Sequence, residues 1–255
     1  MKATVVADIG NSLIKWGRCA DGAVQEKASL PPDDRAAWEQ QLQSWNLAAP
    51  LAWAVAGVHR ARRDALVEWL RQRGDTVCML ERADQLPLTV AVEHPDRVGI
   101  DRLLNAVAAK HGQPPQGRRR KNAAAVIIDA GSAITVDWVD ASGVFRGGAI
   151  LPGLRLMAKA LHDYTDLLPL VEITEPPAAL GTSSVAAMRS GIFYAALGGI
   201  TMLSGTLRGQ SALEPDHFFT GGDAELLNVN MGQRPNILWP TMTLEGIRLS
   251  TEALP

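Results

Sequence analysis

The sequence predicts an α/β protein of two duplicated lobes, each a mixed β-sheet flanked by helices, with a cleft between them. Three observations carry this. Strand-like and helix-like stretches alternate through both halves, a hydrophobic strand ending in Asp-x-Gly occurs twice in register, and one turn-rich cationic stretch separates the copies. The 255 residues suit one large domain or two lobes at roughly 150 residues per domain.

The first strand is Thr4 to Ile9, an apolar β-branched run entering a turn at Asp8-Ile9-Gly10. Leu13 to Arg18 follows, and Asp21-Gly22 turns the chain into Ala23 to Ala28, so three antiparallel strands open the lobe. Beyond Pro31-Pro32 the period becomes helical: Asp33 and Asp34 suit a helix start, and Ala37, Trp38, Leu42 and Trp45 form its apolar stripe. Strand Leu51 to Val58, helix Ala61 to Arg73, strand Thr76 to Leu80 and helix Asp101 to Lys110 complete the order βββαβαβα.

GQPPQGRRRKN, residues 112–122, has turn-forming residues and no periodicity, and places the boundary between lobes 1–117 and 118–255. Its four cations, Arg118 to Lys121, read as a solvated linker, with an anion patch as the alternative. Beyond it the opening recurs. Adding 121 carries Asp8 to Asp129, Gly10 to Gly131 and Gly22 to Gly143, which indicates a duplicated lobe. The second half continues with a strand near Val144 to Ile150, a helix from Pro152-Gly153 to about His162, a long helix from about Ser184 to Leu207, strand His217 to Thr220 and a short helix from about Asp223.

Composition narrows the function. Hydrophobic residues are 47% and the formal net charge is -2, which speaks against disorder and against a partner held by phosphate neutralisation along nucleic acid. No apolar run approaches the roughly 20 residues of a membrane span, and Asp8 interrupts any signal-like start, so a cytoplasmic protein with no membrane partner is expected. Cys19 and Cys78 lack metal or disulfide spacing and read as buried small residues. The tryptophans read as core, and the five histidines show no ligand spacing.

Chemistry gathers at a few places. A carboxylate ending a buried strand before Gly lets backbone N–H groups approach an anion while the acid reaches a metal ion or its water. Two such turns, at Asp8 and Asp129, would clamp a polyphosphate; an Asx-turn is the bland reading of either alone. Asn11 and Ser12 add neutral donors, and Lys15 a point charge. In Gly99-Ile100-Asp101-Arg102 the acid is either an N-cap or first-turn residue of a helix or a proton acceptor, and Arg102 can grip a carboxylate in a bidentate fork. The run Thr220-Gly221-Gly222, ending a strand before a helix, leaves room for a phosphate or a flat ring.

Together DIGNSLIK (Asp8 to Lys15), GIDR (Gly99 to Arg102), DAGSAITVD (Asp129 to Asp137), GGAILPG (Gly147 to Gly153) and TGGDA (Thr220 to Ala224) resemble the type III pantothenate kinases, also called the Bvg accessory factor family. The resemblance implies the actin-like, sugar-kinase and Hsp70 ATPase fold. It implies ATP-dependent phosphorylation of pantothenate to 4'-phosphopantothenate, the first step of coenzyme A synthesis, with Mg²⁺, a monovalent cation (K⁺ or NH₄⁺) and a homodimer. Carried over by position, Asp8, Gly10, Asn11, Ser12 and Lys15 fall on the first phosphate loop, with Asp8 reaching Mg²⁺ through water. Gly131 and Ser132 fall on the second, and Gly221 and Gly222 on the ATP-binding glycines. Asp101 matches the proton acceptor, Gly99, Ile100 and Arg102 the pantothenate contacts, and Asp129 the monovalent-cation ligand.

Three positions depart from the family pattern. Ser132 and Ser184 stand where Thr is usual, keeping the hydroxyl, and Val92 replaces a Tyr that contacts pantothenate. Loss of that phenol removes one hydrogen bond, about 0.5–1.5 kcal/mol, and raises the KM for pantothenate. The alternative is a nucleotide-binding regulatory factor of the same fold with little or no turnover.

Overall fold

The computed structural model describes residues 1–115, 120, 122–228 and 236–254. They form two compact units, Met1–Gln113 with Thr241–Pro255, and Pro114–Pro240. Of the cationic run at 118–121 only Arg120 lies within the described residues; Arg118, Arg119 and Lys121 fall outside them.

In the first unit β1 (Val5–Ile9), β2 (Ile14–Ala20) and β3 (Ala23–Leu30) form an antiparallel meander. Strands β4 (Ala52–Gly57) and β5 (Thr76–Leu80) add in parallel on the far side of β1, giving the order β3-β2-β1-β4-β5. Hydrogen-bonded on both edges and covered on both faces, β1 is buried at all five residues. That is why its sequence is a continuous apolar run with a single acid. Helix α1 (Arg35–Ser44) starts where the Asp34 carboxylate accepts the Ala37 N–H at 3.0 Å. Helix α2 (Arg60–Gln72) joins β4 to β5. A two-residue strand, β6 (Thr89–Val90), and 3₁₀ turns at Ala83–Gln85 and Pro95–Arg97 lead to α3 (Ile100–His111).

Alternation along the strands sorts the two faces of this sheet. Val5, Ala7, Ile9, Ile14, Trp16, Trp53 and Val55 share one core with Trp38 and Leu42 of α1 and Leu66, Trp69 and Leu70 of α2. Its centre is aromatic: Trp16 meets Trp53 edge-on at 4.9 Å between ring centroids, and Trp38 meets Trp69 edge-on at 5.2 Å. Asp8 and Lys15 therefore lie on the other face, which α3 and a C-terminal helix cover.

In the second unit β7 (Ala125–Ala130), β8 (Ala133–Val139) and β9 (Val144–Pro152) repeat the meander. Strands β10 (Asp216–Thr220) and β11 (Asn236–Leu238) repeat the parallel addition beside β7. Helices α4 (Leu154–Asp163), α5 (Ser184–Arg208) and α6 (Ala224–Asn228) accompany this sheet. By length and composition alone α5 could cross a membrane, contrary to the expectation that no apolar run approaches that length. Met188, Ile192, Phe193, Ala196 and Ile200 instead pack it into the unit's own core with Val126, Ile128 and Val136.

The C-terminal segment overturns one expectation. Helix α7 (Met242–Ala253) belongs with the first unit, not with a lobe spanning 118–255. Thr243 Oγ1 donates to Asn105 Oδ1 of α3 at 2.8 Å, and Glu245 Oε1 accepts the Val24 N–H of β3 at 2.7 Å. Arg248 then neutralises Glu245 at 2.7 Å and Glu252 at 2.9 Å. Both α7 and β11 escape the sequence reading, because α7 buries Thr243, Glu245, Arg248, Ser250 and Thr251 beside its apolar residues and shows no clean stripe. The cysteines are half-buried rather than buried, and free. Burial, reinforced by the nearby Glu245 carboxylate, pushes the Cys19 thiol up to about 12.

Candidate active site

The first unit gathers its polar residues at the C-terminal ends of β1 and β4, the end of a parallel sheet where ligands bind. Asp8, 6% exposed, sits opposite Lys15 in the β1–β2 ladder. One residue later Gly10 N–H donates to Leu13 O at 3.1 Å, closing a turn with Asn11 and Ser12 exposed at its tip. A two-residue turn fixes register, so Asp8 and Lys15 share a face by construction.

The neighbouring strand β4 ends at Gly57 with φ +148, where a Cβ would lie 2.5 Å from Ile9 O and 2.7 Å from Ile9 N. Only glycine permits this approach, which brings the start of α2 beside the β1–β2 turn. The following residue, Val58, is 45% exposed, and its Cγ1 lies near Gly99, the cap residue of α3.

Asp101 stands in the first turn of α3, not at its cap. Its Oδ1 accepts the Arg102 N–H at 2.9 Å and lies close over Gly99, where a side chain would collide with it. Both Asp101 and Arg102 are half-buried, and Ile100 is buried beneath them. Val92 is half-buried in the bend that leads to this helix. Since α3 packs on β4, the Asp101 turn and the Asp8 turn occupy one end and one face of the same sheet.

The second unit repeats the arrangement. Asp129 on β7 lies in register with Thr135 of β8 and Thr220 of β10. Gly131 N–H donates to Ala133 O at 3.0 Å, and Ser132 is exposed at the turn. Strand β10 ends at Thr220, and the next residue, Gly221, has φ +97 and would place a Cβ 2.5 Å from the Ala130 carbonyl carbon. Gly222 beside it is exposed with open space around its Cα, and Asp223 N–H donates to Ala130 O at 2.9 Å. Burial raises the Asp223 carboxyl above the ordinary carboxylate range. Asp129, Gly131, Ser132, Gly221 and Gly222 are thus collected at the ends of two adjacent parallel strands. Ser184 opens α5 and lines an apolar groove of about 690 Å³ with Pro152, Leu156, Leu161 and Gly191.

Among the described residues no cluster of three or more His, Cys, Asp or Glu could hold a metal by protein ligands alone. A hard cation that keeps water and phosphate oxygens needs only one or two carboxylates, and the Asp8 carboxylate at the turn is of the type Mg²⁺ takes. Beside Asp129 the buried Thr135 Oγ1 has no hydrogen-bond partner among the described residues, so an oxygen is available there to a monovalent cation. The residues present therefore fit both ions.

Two residues near the first turn were not anticipated. Val58 and Arg62, whose guanidinium reaches the Asn11 carbonyl, are brought in by the Gly57 approach, a contact between strands that no local pattern announces.

Two meanders, each with a first strand ending in Asp-x-Gly and gaining parallel strands on its far side, define a protein of the actin-like, sugar-kinase and Hsp70 ATPase fold class. Two solved structures share the fold. One is the activator of 2-hydroxyisocaproyl-CoA dehydratase from Clostridium difficile with bound ADPNP, with TM-score 0.51, 13% identity, and 98% of this chain and 96% of that one covered. The other is an inorganic polyphosphate/ATP-glucomannokinase from Arthrobacter sp. strain KM, with TM-score 0.50, 15% identity and 99% of each chain covered. The family model for type III pantothenate kinase matches residues 4–205, and the chain belongs to that family. A type III pantothenate kinase of Listeria monocytogenes serotype 4a is 35% identical over 164 residues, which cover 64% of this chain and 59% of that protein.

Proposed function

We propose that this protein transfers the γ-phosphoryl group of ATP to the hydroxyl of pantothenate, giving 4'-phosphopantothenate, the first intermediate on the way to coenzyme A. The observation that carries the proposal is the placement of Asp101 and Arg102 on the same end and face of one sheet as the Asp8 turn, in a chain of this family. On this reading Gly10, Asn11, Ser12 and Lys15 of the first unit hold nucleotide phosphates through backbone N–H groups and a point charge. Within the second unit, the Gly131-Ser132 turn and the glycines Gly221 and Gly222 are the groups suited to nucleotide. Arg102 grips the pantothenate carboxylate in a fork while Gly99, Ile100 and Val92 line the acceptor. The acceptor oxygen bonds to the γ-phosphorus, the bond to ADP breaks, and the proton passes to Asp101. Such transfers pass through a loose transition state and ask more of positioning and charge than of base strength. Bound Mg²⁺ near Asp8, and K⁺ or NH₄⁺ at Asp129, would neutralise phosphate charge.

The protein works as a homodimer in the cytoplasm on this proposal. Gly191, Gly198 and Gly205 recur every seven residues along α5 with nothing packed over them, beside the exposed Tyr194 and Met202. Two free cysteines suit a reducing compartment. Sedimentation equilibrium showing only monomer at micromolar concentration would refute the dimer.

The deciding assay is ATP-dependent phosphorylation of pantothenate with Mg²⁺, with and without K⁺. Turnover that requires K⁺ is expected; ATP binding without turnover would overturn the proposal. Val92 adds a graded check. Val92→Tyr restores a phenol and is expected to lower the KM for pantothenate about 2- to 12-fold at constant KM for ATP. An unchanged pantothenate KM would remove Val92 from the acceptor pocket.

A further inference from the structure

Helix α2 opens on His59-Arg60-Ala61-Arg62-Arg63, three cations in a first turn that holds no acid. The helix dipole favours the opposite sign there. Arg63 is compensated: it is 8% exposed and paired with Glu81 at 2.8 Å and Asp64 at 3.2 Å. Arg60 points into solvent.

Arg62 does neither. Half-buried, it donates from Nη1 to the carbonyl oxygen of Asn11, at the tip of the β1–β2 turn, and among the described residues no carboxylate pairs with it. The His59 ring Nδ1 accepts the Arg62 N–H at 3.4 Å, and the Gly57 approach brings the whole turn of helix within reach. A guanidinium carries five N–H donors, so the bond to the Asn11 carbonyl engages only part of its fork. An uncompensated cation at the positive end of a helix, beside a turn that also presents Lys15, gives this corner a local field suited to a polyanion.

We propose that Arg62 is a positioning residue for the phosphates of the nucleotide. It pins the carbonyl of Asn11, so that the turn's N–H groups keep one direction, and it adds positive charge beside the loop. The proposal rests on the kinase reading above and deepens it for the nucleotide half of the site.

The test compares Arg62→Gln, Arg62→Lys and Arg60→Gln with the parent protein. Steady-state kinetics are measured against ATP and pantothenate separately, and a non-hydrolysable ATP analogue is titrated calorimetrically without pantothenate. Arg62→Gln is expected to raise the KM for ATP and the analogue Kd about tenfold, with kcat, pantothenate KM and melting temperature little changed. Arg62→Lys, which keeps charge without the fork, should fall between, and Arg60→Gln should match the parent. ATP KM and analogue affinity within twofold of the parent in both Arg62 variants would overturn the proposal. Equal rises for both substrates, or the same loss in Arg60→Gln, would overturn it as well. Absence of pantothenate turnover in the parent would sink the kinase reading instead, and the analogue titration would still decide for or against Arg62. Should Arg62→Gln not fold, Arg62→Lys carries the same comparison.

Discussion

Asp101→Asn is expected to lower kcat at least about a hundredfold while the fold and the affinity for ATP stay as they are. The substitution is close to isosteric, and the Asn amide oxygen can accept the Arg102 N–H as the carboxylate does at 2.9 Å. The first turn of α3 therefore keeps its geometry, and Arg102, the proposed grip on the substrate carboxylate, keeps its place. What is lost, on the proposed mechanism, is the capacity to take the proton from the acceptor hydroxyl as its oxygen bonds to phosphorus. A group needed only in the transition state lowers kcat and kcat/KM together and leaves ground-state binding alone. The measurement is kcat and both KM values by a coupled assay, with a thermal melt beside them. A kcat within tenfold of the parent would show that Asp101 only shapes the helix start.

What the sequence made legible, and what it did not, follows the range of the interactions. The Asp8 turn could be read because a five-residue buried strand, an Asp-x-Gly and a short hairpin are local, and a two-residue turn leaves the register little choice. The second copy is readable for the same reason: Asp129 stands at the end of the buried strand β7 as Asp8 does in β1. Asp101 was placed at a helix start, although its role there, over Gly99 and not as the cap, depends on a backbone conformation that spacing does not reveal. Arg62 and Val58 were missed because they reach the site through Gly57, whose left-handed backbone is set by the neighbouring strand. Ser184 could be read as the start of the long helix α5, but the groove it lines could not be, since its walls also come from Pro152 and α4. The C-terminal segment was assigned to the wrong unit because its partners, Val24 and Asn105, are 221 and 138 residues away.

That last contact carries the largest expected effect on stability. Gly246→Ala should destabilise the protein by about 3 kcal/mol, whereas Gly to Ala inside an open helix ordinarily stabilises by about 1 kcal/mol. The sign reverses because α7 crosses α3 at this glycine: a Cβ would lie 2.6 Å from the carbonyl carbon of Leu104 and 3.0 Å from its Cα. Both are backbone atoms inside a helix, so no side chain can swing aside. Parting the helices would lengthen the buried Thr243–Asn105 hydrogen bond, now 2.8 Å, and draw Glu245 away from the Val24 N–H. Glu245 would then keep only Arg248 of its own helix and lose the cross-element bond that helps make its burial tolerable. Urea denaturation of Gly246→Ala checks this; a midpoint equal to the parent's would show that α7 yields at no cost. Because α3 carries Asp101 and Arg102 within the turn that precedes Leu104, the proposed function predicts that the surviving folded fraction also shows a raised KM for pantothenate. On that reading stability and acceptor binding are coupled through one glycine.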